Sequence, residues 1–398
     1  MLPTGNLKHL LQYNGAWWRY YEKNQESIRP VVVDNVIKML SCGDHIRGFV
    51  TYICSNPNCL HFKRIPFTCK SRFCPSCGKK ATNAWVQKQM DILPKTSWQH
   101  ITFTMPSVLW EIFRINRHLL NELSGLAAQC IISIAKNRNI LLGIFCALHT
   151  FGRDLKYNPH VHASTTTGGV DDKQQWKTIF FKKKSLLNAW KYRIINLLRT
   201  HYKNNTLTLP EPLRQFYPDY SSFNKWLNSL YQKIWIIHCS KPSQNPYHNV
   251  HYLGGYIKRP PIAQSRLKHY DGNEVIFNFL NHKTKNHENF HCSTEEFISR
   301  FIQHIPEKYF RLIRYYGFLA NRNRKHYLPI VYATINQQPK ESFPLRFNQL
   351  MKKELGFDPL LCILCNSKLY FASISIGLNH QEIRKHHKNL ALMKPCAA

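Results

Sequence analysis

Apolar positions recur with helical spacing near the start of the chain, at Leu7, Leu10 and Leu11, then Trp17, Trp18 and Tyr21, and again from Val31 to Leu40. A different texture begins at Trp98. His100-Ile-Thr-Phe-Thr-Met105 alternates, is β-branched and stops at Pro106, which predicts a strand. A helical stretch follows over roughly Val108 to Asn137. Two more strands are predicted at Leu142 to Gly152 and His160 to Thr166, joined by a polar connection with Asp154, Lys156, Asn158 and Pro159. Strand, helix, strand, strand is the start of an α+β fold.

Residues 176 to 236 are mostly helical in pattern, with a Pro-rich break at Leu209 to Leu213. Val275 to Leu280 predicts a strand, and Asn281 to Asn289 a polar hairpin-like loop. Phe297, Phe301, Ile302 and Ile305 predict a helix capped by Ser293 or Thr294, with Glu295 and Glu296 in its first turn. After Leu328 the chain is punctuated by proline, and no repeat of solenoid period is present.

Charge changes the picture next. Lys and Arg number 55 against 22 Asp and Glu, a formal net charge of +33. At 43% hydrophobic and 13% aromatic, the chain is too apolar to be a disordered basic tail. The cations therefore decorate folded domains, and nucleic acid is the leading partner. The most apolar stretch, Ile140 to Phe151, is about twelve residues, short of the ~20 a membrane span needs. With no secretory pattern at Met1-Leu-Pro-Thr-Gly-Asn, a cytoplasmic setting is expected, nucleoid-associated when DNA is bound.

In such a setting 13 cysteines suggest metal rather than disulfides. Cys54, Cys59, Cys69, Cys74 and Cys77 crowd into 24 positions. Two short-spaced pairs close a tetrahedral zinc site, so Cys54 with Cys59 and Cys74 with Cys77 are the expected ligands. Cys69 is an alternative ligand or a buried thiol. Cys362 and Cys365 form a lone pair that needs two more ligands, for which His380, His386 and His387 are candidates. Lys63, Arg64, Lys70, Arg72, Lys79 and Lys80 interleave the cluster and would present cations to phosphates.

His160-Val-His162 puts two imidazoles on one face of a strand, because side chains alternate with period two. Alone, such a triplet is weak in a chain with 21 histidines. Tyr252 and Tyr256 are four apart and would share one face of a helix, which Gly254 and Gly255 weaken by ~1 kcal/mol each, so that it needs tertiary support. Lys258 and Arg259 follow, where a phosphate would lie. Trp176, Trp190 and Trp226 can stack on bases but read more naturally as core.

Together, the cysteine module, the His-hydrophobic-His strand and Tyr-x3-Tyr followed by Lys-Arg-Pro-Pro resemble the two-tyrosine rolling-circle transposases of the insertion-sequence ninety-one family. Val31 to Asp44, Cys69 to Cys77, Leu148 to Asp154, Asn158 to His162, Tyr252 to Tyr270 and Ile313 to Arg322 are each similar to a family block. The first cysteine pair is spaced more widely than the family's usual Cys-x2-Cys. The resemblance implies a helical zinc-binding, DNA-binding module over 1–95. An HUH nuclease domain would follow over 96–285, with a central antiparallel sheet flanked by helices. A mixed C-terminal DNA-binding or accessory region would occupy 286–398.

The implied chemistry is nicking and rejoining of single-stranded DNA at the ends of an insertion sequence through 5′-phosphotyrosine. Tyr256 would be the main nucleophile and Tyr252 its partner. His160 and His162 would hold Mg²⁺ or Mn²⁺, with His149 or Asp154 as a third ligand, and zinc would be structural. Lys258, Arg259, Arg72 and Arg322 would contact DNA. Competing expectations are a zinc-dependent DNA-binding regulator without catalysis, a replication initiator or relaxase, and a hydrolase that uses water and leaves no adduct.

Overall fold

The computed structural model describes residues 6–339 and 348–392, apart from 245, 246, 248, 249, 252, 255–259, 282, 283, 350 and 353–355. The fold is α+β, with three antiparallel sheets among the described residues. Its compact units do not follow the chain as three consecutive blocks. One comprises Met1–Ala81, Ile262–Ile305 and Glu341–Ala398, the other Thr82–Pro261 and Pro306–Lys340.

The first unit opens with the expected helices, Leu7–Gln12, Ala16–Asn24 and Pro30–Leu40. The first two are separated at Asn14 and Gly15, both in the left-handed region. Strands β1 (Gly48–Cys54) and β2 (Phe62–Pro66) form a hairpin around the first two clustered cysteines, and β12 (Leu369–Ile376) adds to the other edge of β1. The hairpin lacks the alternating apolar pattern from which strands are read, whereas β12 alternates at Ala372-Ser-Ile-Ser-Ile376 although those side chains are mostly exposed. A second sheet runs β10-β9-β8, from Leu267–Tyr270 (β8), Glu274–Leu280 (β9) and His287–Ser293 (β10). The first three residues of β10 fall where the sequence predicts a loop, because His287, Glu288 and Asn289 are all polar. Ser293 caps the helix Thr294–Ile302, accepting from the Glu296 amide. Phe297 and Phe301 on that helix are fully buried, Phe301 edge-on to Phe73.

The second unit is built on a six-stranded sheet ordered β11-β4-β5-β3-β7, with β6 pairing the end of β5. The strands are Trp98–Phe103 (β3), Leu141–Phe151 (β4), Tyr157–Val170 (β5), Trp176–Thr178 (β6), Ile237–Cys239 (β7) and Ile313–Gly317 (β11). Period-two alternation divides its side chains between two cores. Ile101, Ile144, Cys146, Leu148, Val161 and Ala163 face a cluster that includes residues of the helices Leu120–Lys136, Lys183–Lys203 and Tyr220–Ser229. Trp98, Phe145, Ala147 and Val170 face the other, with Trp85, Val250, Leu253, Phe318 and Val331.

The single helix expected from Val108 to Asn137 is broken into Trp110–Ile115 and Leu120–Lys136. Asn116 leaves helical geometry between them, and its amide donates to the carbonyls of Ile112 and Thr208. This is the side-chain competition with the backbone that makes asparagine a poor interior helix residue. No helix among the described residues is long and apolar enough to cross a membrane.

Candidate metal centre and cysteine sites

His160 and His162 leave β5 on the same face, opposite Val161, as the strand period requires. The neighbouring strands supply more imidazoles. In the β4–β5 ladder His149 lies opposite His160, and in the β3–β5 ladder Thr102 lies opposite His162 and His100 opposite Ser164. His149, His160 and His162 offer ring nitrogens all within 4.8 Å of one another. His149 is thus the third-ligand candidate placed with the pair. Asp154 is outside the group; its carboxylate accepts from the Lys156 amide and pairs with the Lys156 ammonium at 3.6 Å.

Partners set the ring orientations. His160 Nδ1 donates to the Asn158 carbonyl at 2.7 Å, which leaves Nε2 with its lone pair. His162 Nδ1 lies 2.9 Å from His100 Nε2, the two rings stacked, and Thr102 Oγ1 is 3.3 Å from both nitrogens. When His162 Nε2 serves as a ligand, its proton sits on Nδ1 and His100 accepts it. Ligating histidines are fixed in this way by a partner on the other nitrogen.

Burial holds these rings neutral. It lowers His160, and His162 falls well below the ordinary range through burial and the neighbouring His149, His160 and His100. His100 drops to about 4, mainly through burial and secondarily through His238. Neutral imidazole is the form that binds metal.

Val250 and Leu253 pack on the same face of the sheet. Both are fully buried in the cluster that contains Phe145 and Ala147. Each such side chain contributes about 1.5–3 kcal/mol, which outweighs the ~1 kcal/mol cost of a helical glycine. Residues 250, 251, 253 and 254 are helical. Gly254 is required by close approach: a Cβ there would lie 2.6 Å from Val86 Cγ2, while its carbonyl accepts from Thr82 Oγ1 at 3.1 Å. Tyr252, Tyr256, Lys258 and Arg259 lie outside the described residues.

Among the described residues eight cysteines form two groups of four rather than the expected one. Cys74 and Cys77 gather with Cys69 and with Cys42, whereas Cys54 and Cys59 gather with Cys362 and Cys365. The division follows from the β1–β2 hairpin, which places Cys54 at its far end, next to the start of β12. None of these thiols is in a disulfide. In the first group Cys77 Sγ lies 3.6 Å from Cys42 Sγ and 3.7 Å from Cys69 Sγ. Cys77 is held far below the ordinary thiol range because the other three thiols donate to it. Its place in the first turn of the helix Pro75–Ile92 also favours a thiolate. His380 pairs instead with Asp34.

Of the expected DNA contacts, Arg322 is exposed in the turn after β11. Arg72 is half-buried, its guanidinium 5.3 Å from the Phe73 ring centre and its Nε and Nη1 covered without a hydrogen-bond partner. Burial lowers its pKa to about 9. Trp190 is core, and Trp176 and Trp226 pack partly buried against the two clusters.

Two family models match. One, described as "Putative transposase", covers residues 143–326, and the other, "Transposase zinc-binding domain", covers 13–105. The chain is 40% identical to the transposase for insertion sequence element IS801 of Pseudomonas savastanoi pv. phaseolicola, over 98% of its own length and 94% of the relative's. The chain belongs to the insertion-sequence ninety-one transposase family. It is also 31% identical to the "Putative transposase y4qJ" of Sinorhizobium fredii (strain NBRC 101917 / NGR234), over 67% of its length and 69% of the relative's. No solved structure matches it.

The transposase match contains His149, His160 and His162, and the zinc-binding match contains Cys42, Cys69, Cys74 and Cys77. This family member therefore carries structural zinc in its N-terminal domain. Sequence reasoning missed Cys42 and His100. Cys42 stands apart from the dense cluster, at the end of a predicted helix, and its only signal is that Cys69, Cys74 and Cys77 leave one thiol short of four. His100 belongs to a strand whose predicted alternation already put it on the face opposite Ile101, but the pairing of β3 with β5 is not visible in the chain.

Proposed function

We propose that this protein is a metal-dependent tyrosine strand transferase acting on single-stranded DNA at the ends of its insertion sequence, in rolling-circle fashion. The observation that supports the reading is the convergence of three imidazoles, His149, His160 and His162, on the sheet face against which Val250 and Leu253 are buried. His149, His160 and His162 would hold Mg²⁺ or Mn²⁺. The donor chemistry fits a divalent ion, and all-imidazole donors favour Mn²⁺ over the harder Mg²⁺. The bound ion would polarise the scissile phosphate and offset its developing charge.

The residues do the remaining work. Tyr256 Oη attacks the phosphorus, the bond from phosphorus to the 3′ oxygen breaks, and the phenol proton goes to that leaving oxygen. The products are a 5′-phosphotyrosine and a free 3′-hydroxyl, with the bond energy stored for rejoining. Tyr252 repeats the step on a second strand. Each 3′-hydroxyl then attacks the other phosphotyrosine and returns a proton to the phenolate. His100 and Asn158 orient His162 and His160, while Arg322, Lys258 and Arg259 hold phosphates. Cys42, Cys69, Cys74 and Cys77 bind the structural zinc.

The test uses the full chain with Mn²⁺ and a labelled single strand carrying the element's end. A denaturant-resistant protein–DNA adduct is expected, and it disappears in Tyr252→Phe/Tyr256→Phe. Cleavage without an adduct favours the hydrolase. Binding without cleavage favours the regulator.

A further inference from the structure

We propose that Cys54, Cys59, Cys362 and Cys365 form a second structural zinc site, a ribbon that clasps the N-terminal hairpin to the C-terminal strand. The matched zinc-binding segment ends at residue 105, so it contains only half of these ligands.

The four sulfurs lie within 4.8 Å of one another, with Cys54 Sγ 3.3 Å from Cys365 Sγ and Cys59 Sγ 3.8 Å from Cys362 Sγ. Zinc–sulfur bonds of ~2.3 Å put tetrahedral sulfurs about 3.8 Å apart. Disulfide sulfurs would be ~2.05 Å apart.

The scaffold is two knuckles facing each other. Cys54 ends β1, and its sulfur receives the Asn56 amide at 3.5 Å. Cys362 and Cys365 sit in a tight turn closed by the Asn366 amide to the Cys362 carbonyl and the Cys362 amide to the Ser367 carbonyl, with Asn366 in the left-handed region. His61 Nδ1 lies 3.1 Å from Cys362 Sγ, placed to donate to a thiolate. The Cys54–Leu369 pair in the β1–β12 ladder brings the two knuckles together.

The sheet also needs such a staple. Along β12 only Leu369 is buried, while Phe371, Ile374 and Ile376 are exposed. The sheet β12-β1-β2 thus buries too little apolar surface to hold itself closed, and small β modules of this kind are completed by metal.

Zinc content of the reduced full chain, measured by inductively coupled plasma mass spectrometry, should be two equivalents. Cys362→Ser/Cys365→Ser should lower it to one, as should Cys42→Ser/Cys77→Ser. Because a serine variant can lose metal simply by misfolding, Cys365→His is the companion. In protein produced with cobalt it should keep two metals while the visible spectrum of one shifts from four-sulfur to three-sulfur, one-nitrogen. One equivalent in the wild type, retained by Cys362→Ser/Cys365→Ser, overturns the site. So does an unshifted cobalt spectrum in Cys365→His, or a Cys54–Cys365 disulfide in the intact mass.

Discussion

The histidine face of the six-stranded sheet and the cysteine groups of the other unit both gather cation-binding side chains, but from opposite distances along the chain. His149, His160 and His162 come from one antiparallel pair, so strand period and register alone align them. Cys54 and Cys365 are 311 residues apart, and the pairing of β1 with β12 brings them together. Each doubling of a closed loop costs only ~0.6 kcal/mol, so a closure this long costs on the order of 3 kcal/mol more than a hairpin. A zinc site contributing about 10 kcal/mol or more readily covers that difference. Short-range sites can thus be preformed by the backbone, whereas long-range ones depend on the ion itself.

The sharpest way to break this comparison is at the preformed site. His162→Ala should leave folding and zinc content unchanged while lowering adduct formation by roughly 10²–10⁴-fold, checked by adduct yield against metal concentration. Unfolding of the variant would show that the imidazoles are structural. Cys42→Ser should do the reverse. It should remove one zinc and destabilise the N-terminal unit by several kcal/mol, read as an earlier proteolytic cleavage within residues 1–81.

A third prediction concerns acid. His100 is held neutral, with its pKa at about 4 against an ordinary value of 6.5. The unfolded chain therefore takes up a proton between those values and the folded chain does not. Stability is full above pH 6.5 and falls as the pH is lowered towards 4, by roughly 2–3 kcal/mol for this one group. His100→Gln should flatten that part of the denaturation profile measured in chelator. An unchanged slope would mean that His100 is not held neutral. The smallest effect is expected at Gly254→Ala, where the added Cβ meets Val86 Cγ2. A cost of about 1–3 kcal/mol and a several-fold loss of adduct should both be relieved by adding Val86→Ala. Failure of that rescue would place the constraint elsewhere.

Legibility in the sequence followed the same division. The alternation around His160 and His162, the cap at Ser293 and the strands from Trp98 onward are local signals, and each corresponds to an observed element. The grouping of His149 with them was readable only as one of two options, since the chain does not reveal that β4 pairs with β5 in the register that opposes His149 to His160. The cysteines misled because spacing is a local signal. Cys54 and Cys59 are near Cys74 and Cys77 in the chain, yet a β-hairpin carries them to residues more than 300 positions later. Strand β10 escaped because its exposed side chains are polar, and the break at Asn116 because its side-chain amide finds a carbonyl, Thr208, that lies far along the chain.

The separation of Cys54 from Cys365 also sets an order of events during synthesis. At ~5–20 residues per second, the 311 residues between them take roughly 15–60 s to emerge from the ribosome. The Cys42, Cys69, Cys74 and Cys77 group is complete long before that, as are the strands bearing His149, His160 and His162. For that interval Cys54 and Cys59 are an open pair of thiols on a nascent chain. A transcript truncated between residue 340 and the last knuckle would thus yield a protein with the strands of its histidine centre complete and its ribbon unfastened.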